Sequence, residues 1–215
     1  MAKGADTRLV LMRAAEELFA EKSVRAVSLR EVTAAAGQRN VSAVIYHFGS
    51  KTELLECVLE RHSEPIQQML LARLAEMDHD PNVSKRDLID LLVAPLAAKL
   101  DDPDGGRRYL ALCAQLAASP DFPLTERRAA QAPGAMALTQ KLLSLAPPIP
   151  PMLFPFRMMR FANILYLSFV DYMRMQNAGF PVPRDVFLED LSRALLETVV
   201  GKAEPAADAA AQAGA

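Results

Sequence analysis

Between Asn40 and Lys51 the chain reads NVSAVIYHFGSK, poor in charge but rich in groups that suit the floor and walls of a nucleic-acid groove. A serine such as Ser42 exchanges hydrogen bonds with either base type, and Val41 or Ile45 can touch a thymine methyl. Arg39, just upstream, is the residue whose planar fork could make a bidentate contact to guanine. A solvated turn arginine or a simple phosphate contact is its equal alternative. If the stretch is helical, Asn40, Val41, Ser42, Ile45 and Tyr46 share the contact side, with Ala43 and Val44 nearer a core. For Tyr46 the competing reading is a core aromatic that exposes only its hydroxyl.

The residues before this stretch are the ones that could hold it. Ser28 stands three residues before Glu31, the spacing of a capping box. Leu29, Val32 and Ala36 then fall on one helical face. Gly37 ends that helix where a positive φ is wanted. Asn40 can cap a second helix, Val41 to Phe48. A helix, a glycine-containing turn and a second helix make a helix-turn-helix, whose second member can lie in a major groove of DNA. Thr7 to Lys22 reads as a preceding helix with an apolar stripe of Val10, Leu11, Ala14, Ala15, Leu18 and Phe19. Val27 is placed to staple against Val32, and Phe48 to plug the three-helix unit. Residues 1–6 read as disordered.

Thr7 to Glu53 resembles the tetracycline-repressor (TetR) family of bacterial transcription regulators. The resemblance rests on a first helix ending LFAEK, on SLREVTAAAG, and above all on IYHFGSKTELL. It covers about the first quarter of the chain. It implies that Tyr46 and Lys51 grip phosphates, with Ser28 at a helix N-terminus and His47 beside them. Between Gly37 and Phe48 this chain carries one residue more than the commonest family spacing, which leaves the register of the base contacts open by one position. The family also implies a body in which two helices from each subunit form a four-helix bundle and a small effector binds.

Charge is distributed as such a protein requires. The net charge is −2, yet residues 1–51 hold eight Lys or Arg against five acids. A basic head on an acidic body is expected when one end meets phosphate. Catalysis finds little support: GxGxxG, Walker, HExxH and GxSxG patterns are all missing from the sequence. His47, His62 and His79 are too scattered for metal spacing, so neither metal nor cofactor is expected. His62 reads as capping the polar edge of its helix, and His79 as solvated in a loop. Cys57 and Cys113 form no CxxC pair and read as reduced thiols of a cytoplasmic protein. The amino terminus lacks the apolar region of a signal peptide, and the longest apolar run, 161–170, is too short to span a membrane.

The chain therefore reads as all-α, with a three-helix DNA-binding domain over 1–50, a helical effector-binding and dimerisation domain over 51–201, and a disordered tail over 202–215. A fourth helix starts at Lys51 behind Gly49-Ser50, where Ser50 and Glu53 repeat the capping-box spacing, and Pro65 ends, kinks or bends it. Ser84, with Asp87, caps a helix to about Leu100. DDPDGG is a loop, Arg107 to Ala118 a helix, SPDFP a turn. Leu124 to Leu145 is a helix interrupted at Pro133-Gly134, and PPIPP at 147–151 is extended. Met152 to Asn177 is predicted as the longest helix, and the last runs from about Pro183 to Val200. The seam between two copies is expected along Phe161, Leu165, Ser168, Phe169 and Tyr172, matched by Leu188, Leu191, Leu195 and Val199. Met136, Met152, Phe154 and Phe156 suggest an adaptable apolar pocket, although methionines at helical spacing are more often plain core. The function implied is a homodimeric regulator of a near-palindromic operator, most simply a repressor released by an apolar or aromatic small molecule. An effector-independent dimer whose body serves protein–protein contact is the alternative.

Overall fold

The computed structural model describes residues 2–38, 40–78, 80–119 and 132–200, and every regular element among them is helical. The expectations placed on Arg39, on His79, on the turn and helix start between 120 and 131, and on the tail after 200 lie outside those residues.

Helix α1 (Ala2–Lys22) starts at the second residue. The disordered leader expected over 1–6 is thus corrected. Alanine and lysine favour helix there, and Arg8 anchors this first part of α1. Its guanidinium stacks over the Phe48 ring at 5.1 Å and donates to Cys57 Sγ at 3.1 Å. Of the apolar stripe, Leu11, Ala14, Ala15 and Phe19 are buried as expected, whereas Val10 is exposed.

Helix α2 (Leu29–Ala35) is opened by the full capping box: Ser28 Oγ accepts the Glu31 N–H at 3.2 Å, and the Glu31 carboxylate accepts the Ser28 N–H at 2.8 Å. Helix α3 (Ser42–Phe48) starts one residue later than expected. Asn40 still assists, because its side-chain oxygen accepts the Ser42 N–H at 2.9 Å. Val27, Val32, Val44 and Phe48 join Leu11 and Phe19 in one buried cluster.

That cluster does not end with the third helix. Leu54, Leu55 and Val58 of α4 (Lys51–Met77) belong to it, as do Leu112 and Leu116 of α6 (Gly106–Ala117). A second cluster takes Ile66, Leu70 and Leu74 from the other half of α4. It adds residues of α5 (Lys85–Ala98), α6, α7 (Pro133–Ser144), α8 (Phe154–Asn177) and α9 (Arg184–Val200). Pro65 neither ends nor divides α4, which at 27 residues is longer than the 24 of α8. Pro65 is exposed, so the hydrogen bond it removes falls on the solvent side, where water can serve the freed carbonyl.

Pro133 opens α7 as its first residue instead of interrupting a longer helix. A proline loses nothing at that position. The Gln67 side chain from α4 accepts the Ala135 N–H at 2.9 Å and so caps α7 from outside. The proline run 147–150 is irregular and feeds a 3-10 turn, Pro151–Leu153, ahead of α8.

The expected seam residues are mostly spent within one chain. Leu165, Phe169, Tyr172, Leu191, Leu195 and Val199 are all buried in the body's own core. Phe187 locks the pair of helices, stacking on Tyr172 at 4.3 Å and meeting Phe169 edge-on at 5.4 Å. Phe161, Ser168 and Leu188 are half-buried. The stripe was real, and it packs into its own subunit's core, against α6 as well as between α8 and α9. Polar contacts tie α9 to α5 as well: Arg86 of α5 binds Glu189 at 2.9 and 2.5 Å, and Ser192 donates to Asp90 at 2.7 Å.

Candidate nucleic-acid interface

Helix α3 is seven residues long, about 10 Å at 1.5 Å per residue, and a major groove is about 12 Å wide. Its inner side is fixed by Val44 and Phe48, which are buried. Its outer side presents Ser42, Ile45 and Tyr46, all exposed, with Tyr46 at 85% and Ile45 at 49%. An apolar side chain that remains half in water on a rigid short helix is available to a thymine methyl. A tyrosine so exposed is not a core aromatic, and this closes the alternative left open for Tyr46. Its ring meets His47 edge-on at 5.1 Å, which limits where the hydroxyl can swing. Asn40 is exposed, while Val41 and His47 are half-buried.

The flanking groups are placed less uniformly. Lys51 is half-buried and donates to the Arg25 carbonyl at 3.4 Å, which ties the start of α4 to the turn after α1. An ammonium has three donors, so that bond leaves capacity for a phosphate. The Ser28 hydroxyl is already occupied, accepting from Glu31 N and donating to the Glu31 carboxylate at 2.9 Å. Those bonds, with Lys22 Nζ 3.0 Å away, hold the Glu31 carboxyl at about 2, the Ser28 backbone N–H being the largest cause. Arg25 and Arg30 are exposed on the head and were not singled out in the sequence. Their only sequence signal was the basic excess of the first 51 residues.

Beside α3, an open groove of about 440 Å³ is lined by Ile45, Tyr46 and His47 together with Glu53, Glu56, Cys57 and Glu60 of α4. Gly49 joins α3 to α4 at φ 79°, and a Cβ on it would come within 2.4 Å of Glu53 Oε2. Ser50 accepts the Glu53 N–H at 3.1 Å, so only the serine half of the second expected box forms.

In the body, Met136, Met152, Phe154 and Phe156 all stand exposed, Met152 at 85% and Phe156 at 63%. Met136 lies on α7, while the other three cluster where the proline run turns into α8. His62 is also placed differently from its expected helix edge. It is buried, with Glu16 at 2.7 Å.

Among the described residues no helix is long and apolar enough to cross a membrane, and no group of His, Cys, Asp or Glu gathers as a metal site would need.

A three-helix head presenting one short exposed helix, set on a helical body, defines a helix-turn-helix regulator fold. Comparison with known proteins agrees. Residues 11–58 match the family described as bacterial regulatory proteins, tetR family. The HTH-type transcriptional repressor BepR of Brucella suis biovar 1 (strain 1330) is 32% identical over 81 residues, 38% of this chain and 37% of that protein. The match therefore spans little more than a third of its length. The crystal structure of native NalD is 27% identical and superposes with a TM-score of 0.63 over 93% of this chain and 99% of NalD. NalD is the secondary repressor of the MexAB-OprM multidrug efflux pump in Pseudomonas aeruginosa. A tetR-family protein from Shewanella sp. PV-4, 18% identical with a TM-score of 0.59 over 87% of this chain and 97% of its own, shares the fold. Over residues 11–58 the chain thus carries the module described for the tetR family of bacterial regulatory proteins, and it shares the fold of the repressor NalD.

Proposed function

We propose that this chain is a cytoplasmic, dimeric repressor that inserts α3 of each copy into successive major grooves of a near-palindromic operator. The carrying observation is the outer side of α3, where Ser42, Ile45 and Tyr46 stand exposed on a helix pinned from behind by Val44 and Phe48. In this reading Ser42, Val41 and Ile45 read bases, while Tyr46, Lys51 and His47 hold phosphates together with the cap at Ser28. Asn40, exposed just ahead of α3, sits at the entry to the groove.

Dimerisation follows the face of α8 that its own subunit leaves uncovered. On the side away from Leu165 and Phe169, that helix exposes Phe156 and Leu167, with Arg160 and Arg174 on the same side. The outer face of α9 is polar, with Asp190 paired to Arg193. In this reading the seam between copies takes Phe156 and Leu167 of α8, with the half-buried Phe161, Ser168 and Leu188 at its edge.

An apolar or aromatic effector would act by favouring a body conformation whose two heads no longer match adjacent grooves. NalD, which represses a multidrug efflux pump, supports that effector class. The exposed corner at Met152, Phe154 and Phe156 favours a second reading, in which the body makes a protein contact and binds no effector. Thermal shift with apolar and aromatic compounds separates the two, since a ligand of the folded state raises the melting temperature.

DNA binding is tested on duplex selected by the protein from a random pool. Lys51→Ala should weaken binding to all duplexes and lower the salt slope by about one unit. Ser42→Ala should relax sequence preference by roughly 1–3 kcal/mol. Equal loss on selected and random duplex would remove Ser42 from the base contacts.

A further inference from the structure

Glu16 is a carboxylate without solvent exposure, on the face that α1 turns toward the body. A charge so placed is costly unless paired and hydrogen-bonded. Its oxygens meet two consecutive residues of α4: Oε2 lies 2.5 Å from Arg61 Nη2, and Oε1 lies 2.7 Å from His62 Nε2. The buried His62 ring stacks on Tyr109 of α6 at 4.9 Å. Its other nitrogen, Nδ1, faces the Lys99 ammonium at 3.3 Å, with Asp102 at 3.9 Å. An ammonium has only protons to give, so Nδ1 accepts and Nε2 carries the proton donated to Glu16. At the rim Asp104 bridges the same helices, 3.1 Å from Arg13 and 2.8 Å from Arg61. The backbone is shaped around the carboxylate. Gly105 has φ 94°, and a Cβ there would come within 2.4 Å of Glu16 Oε1.

The position of this node along α4 gives it meaning. Leu54, Leu55 and Val58 pack in the head, Ile66, Leu70 and Leu74 pack in the body, and Arg61-His62 fall between the two clusters. Apolar side chains tolerate small sliding, because dispersion is non-directional. Hydrogen bonds to a buried carboxylate admit one register and are costly to leave half-made.

We propose that Glu16, His62 and Arg61 form a latch that sets the angle of the reading head on the body, and hence the separation of the two heads in a dimer. This rests on the reading of the chain as a dimeric DNA-binding protein. Glu16, His62 and Arg61 are positioning residues, remote from any base.

The test uses the full chain and the duplex it selects from a random pool, together with versions whose half-site spacing is changed by one base pair, about 3.4 Å along the axis. A duplex carrying a single half-site serves as the control. The wild type should favour its selected spacing. Glu16→Gln and His62→Gln should each lose about tenfold of that discrimination while keeping wild-type affinity for the single half-site. The double variant should lose no more than either single variant. Asp104→Asn, at the solvent-facing rim, should show a smaller loss in the same sense. It decides the matter if the buried variants do not fold. Variants that melt earlier but keep the wild-type spacing preference would show the node to be structural only and overturn the latch. A wild type that selects no duplex overturns instead the reading on which the latch rests.

Discussion

Ser28 and Ser84 open helices with the same device, each hydroxyl accepting the N–H of an acid three residues on and each acid returning to the serine N–H. In the head the device starts a seven-residue helix, in the body one of 14 residues. A seven-residue helix is far too short to persist unaided in water. Helices α2 and α3 therefore depend on caps, turns and the walls lent by α1, α4 and α6. The body helices are longer and hold one another through a broad apolar cluster, with ion pairs such as Arg86–Glu189 added at its surface. The head is shaped by local chemistry on a borrowed support. The body is shaped by mutual burial.

Substitutions can break that contrast, and the largest effect belongs to the body. Phe169→Ala should cost about 3–5 kcal/mol in urea unfolding, because Phe169 of α8 is fully buried against Phe187 of α9. Duplex preference of the folded fraction should stay as in the wild type. Gly49→Ala comes next. It puts a side chain at positive φ against Glu53, at about 1–2 kcal/mol, and it should also weaken duplex binding, since it re-aims α3. A duplex affinity left intact would mean that α3 is aimed by Val44 and Phe48 alone.

Ser28→Ala and Ser84→Ala should each cost about 1 kcal/mol, and only the first should reduce affinity for duplex. The smallest effect is electrostatic. The Glu31 carboxyl is held at about 2, below its ordinary 4.5, first by the Ser28 N–H and then by Lys22. Its contribution is complete above about 4.5 and disappears as pH falls through about 2. Glu31→Gln should therefore flatten the fall in melting temperature across that acid window. Asp87 is lowered in the same way, chiefly by the Ser84 hydroxyl. Asp87→Asn should flatten the acid limb below its ordinary 3.8, without any change in duplex binding.

What was legible in the sequence follows the same division. Ser28 with Glu31 and the Gly49-Ser50 break act over three or four residues, so spacing alone located α2, α3 and the start of α4. Exposed and buried residues of α3 could be sorted because seven residues have only two sides. The α8 stripe was visible too, but a period of 3.6 does not say whether an apolar face meets its own subunit or another. Leu165 and Leu195 look the same in either case. The least legible feature was Glu16, a charge in phase with Met12 and Phe19, whose partners lie 45 and 46 positions further along. The available hints were a glutamate on the inward side of an amphipathic helix and the Gly105-Gly106 pair after Asp104. Neither names its counterpart until the chain is folded.

Leu112 and Leu116 reach from α6 into the head, and the Gln115 amide donates to the carbonyls of Phe19 and Ala20 at 3.2 and 2.9 Å. Chimeras that graft residues 1–50 onto a foreign scaffold would leave these carbonyls uncapped and the inner wall of α1 bare. A transplantable unit must bring α4 and α6 with it, so exchange of operator specificity between relatives is better attempted by resurfacing α3 than by cutting at the glycine.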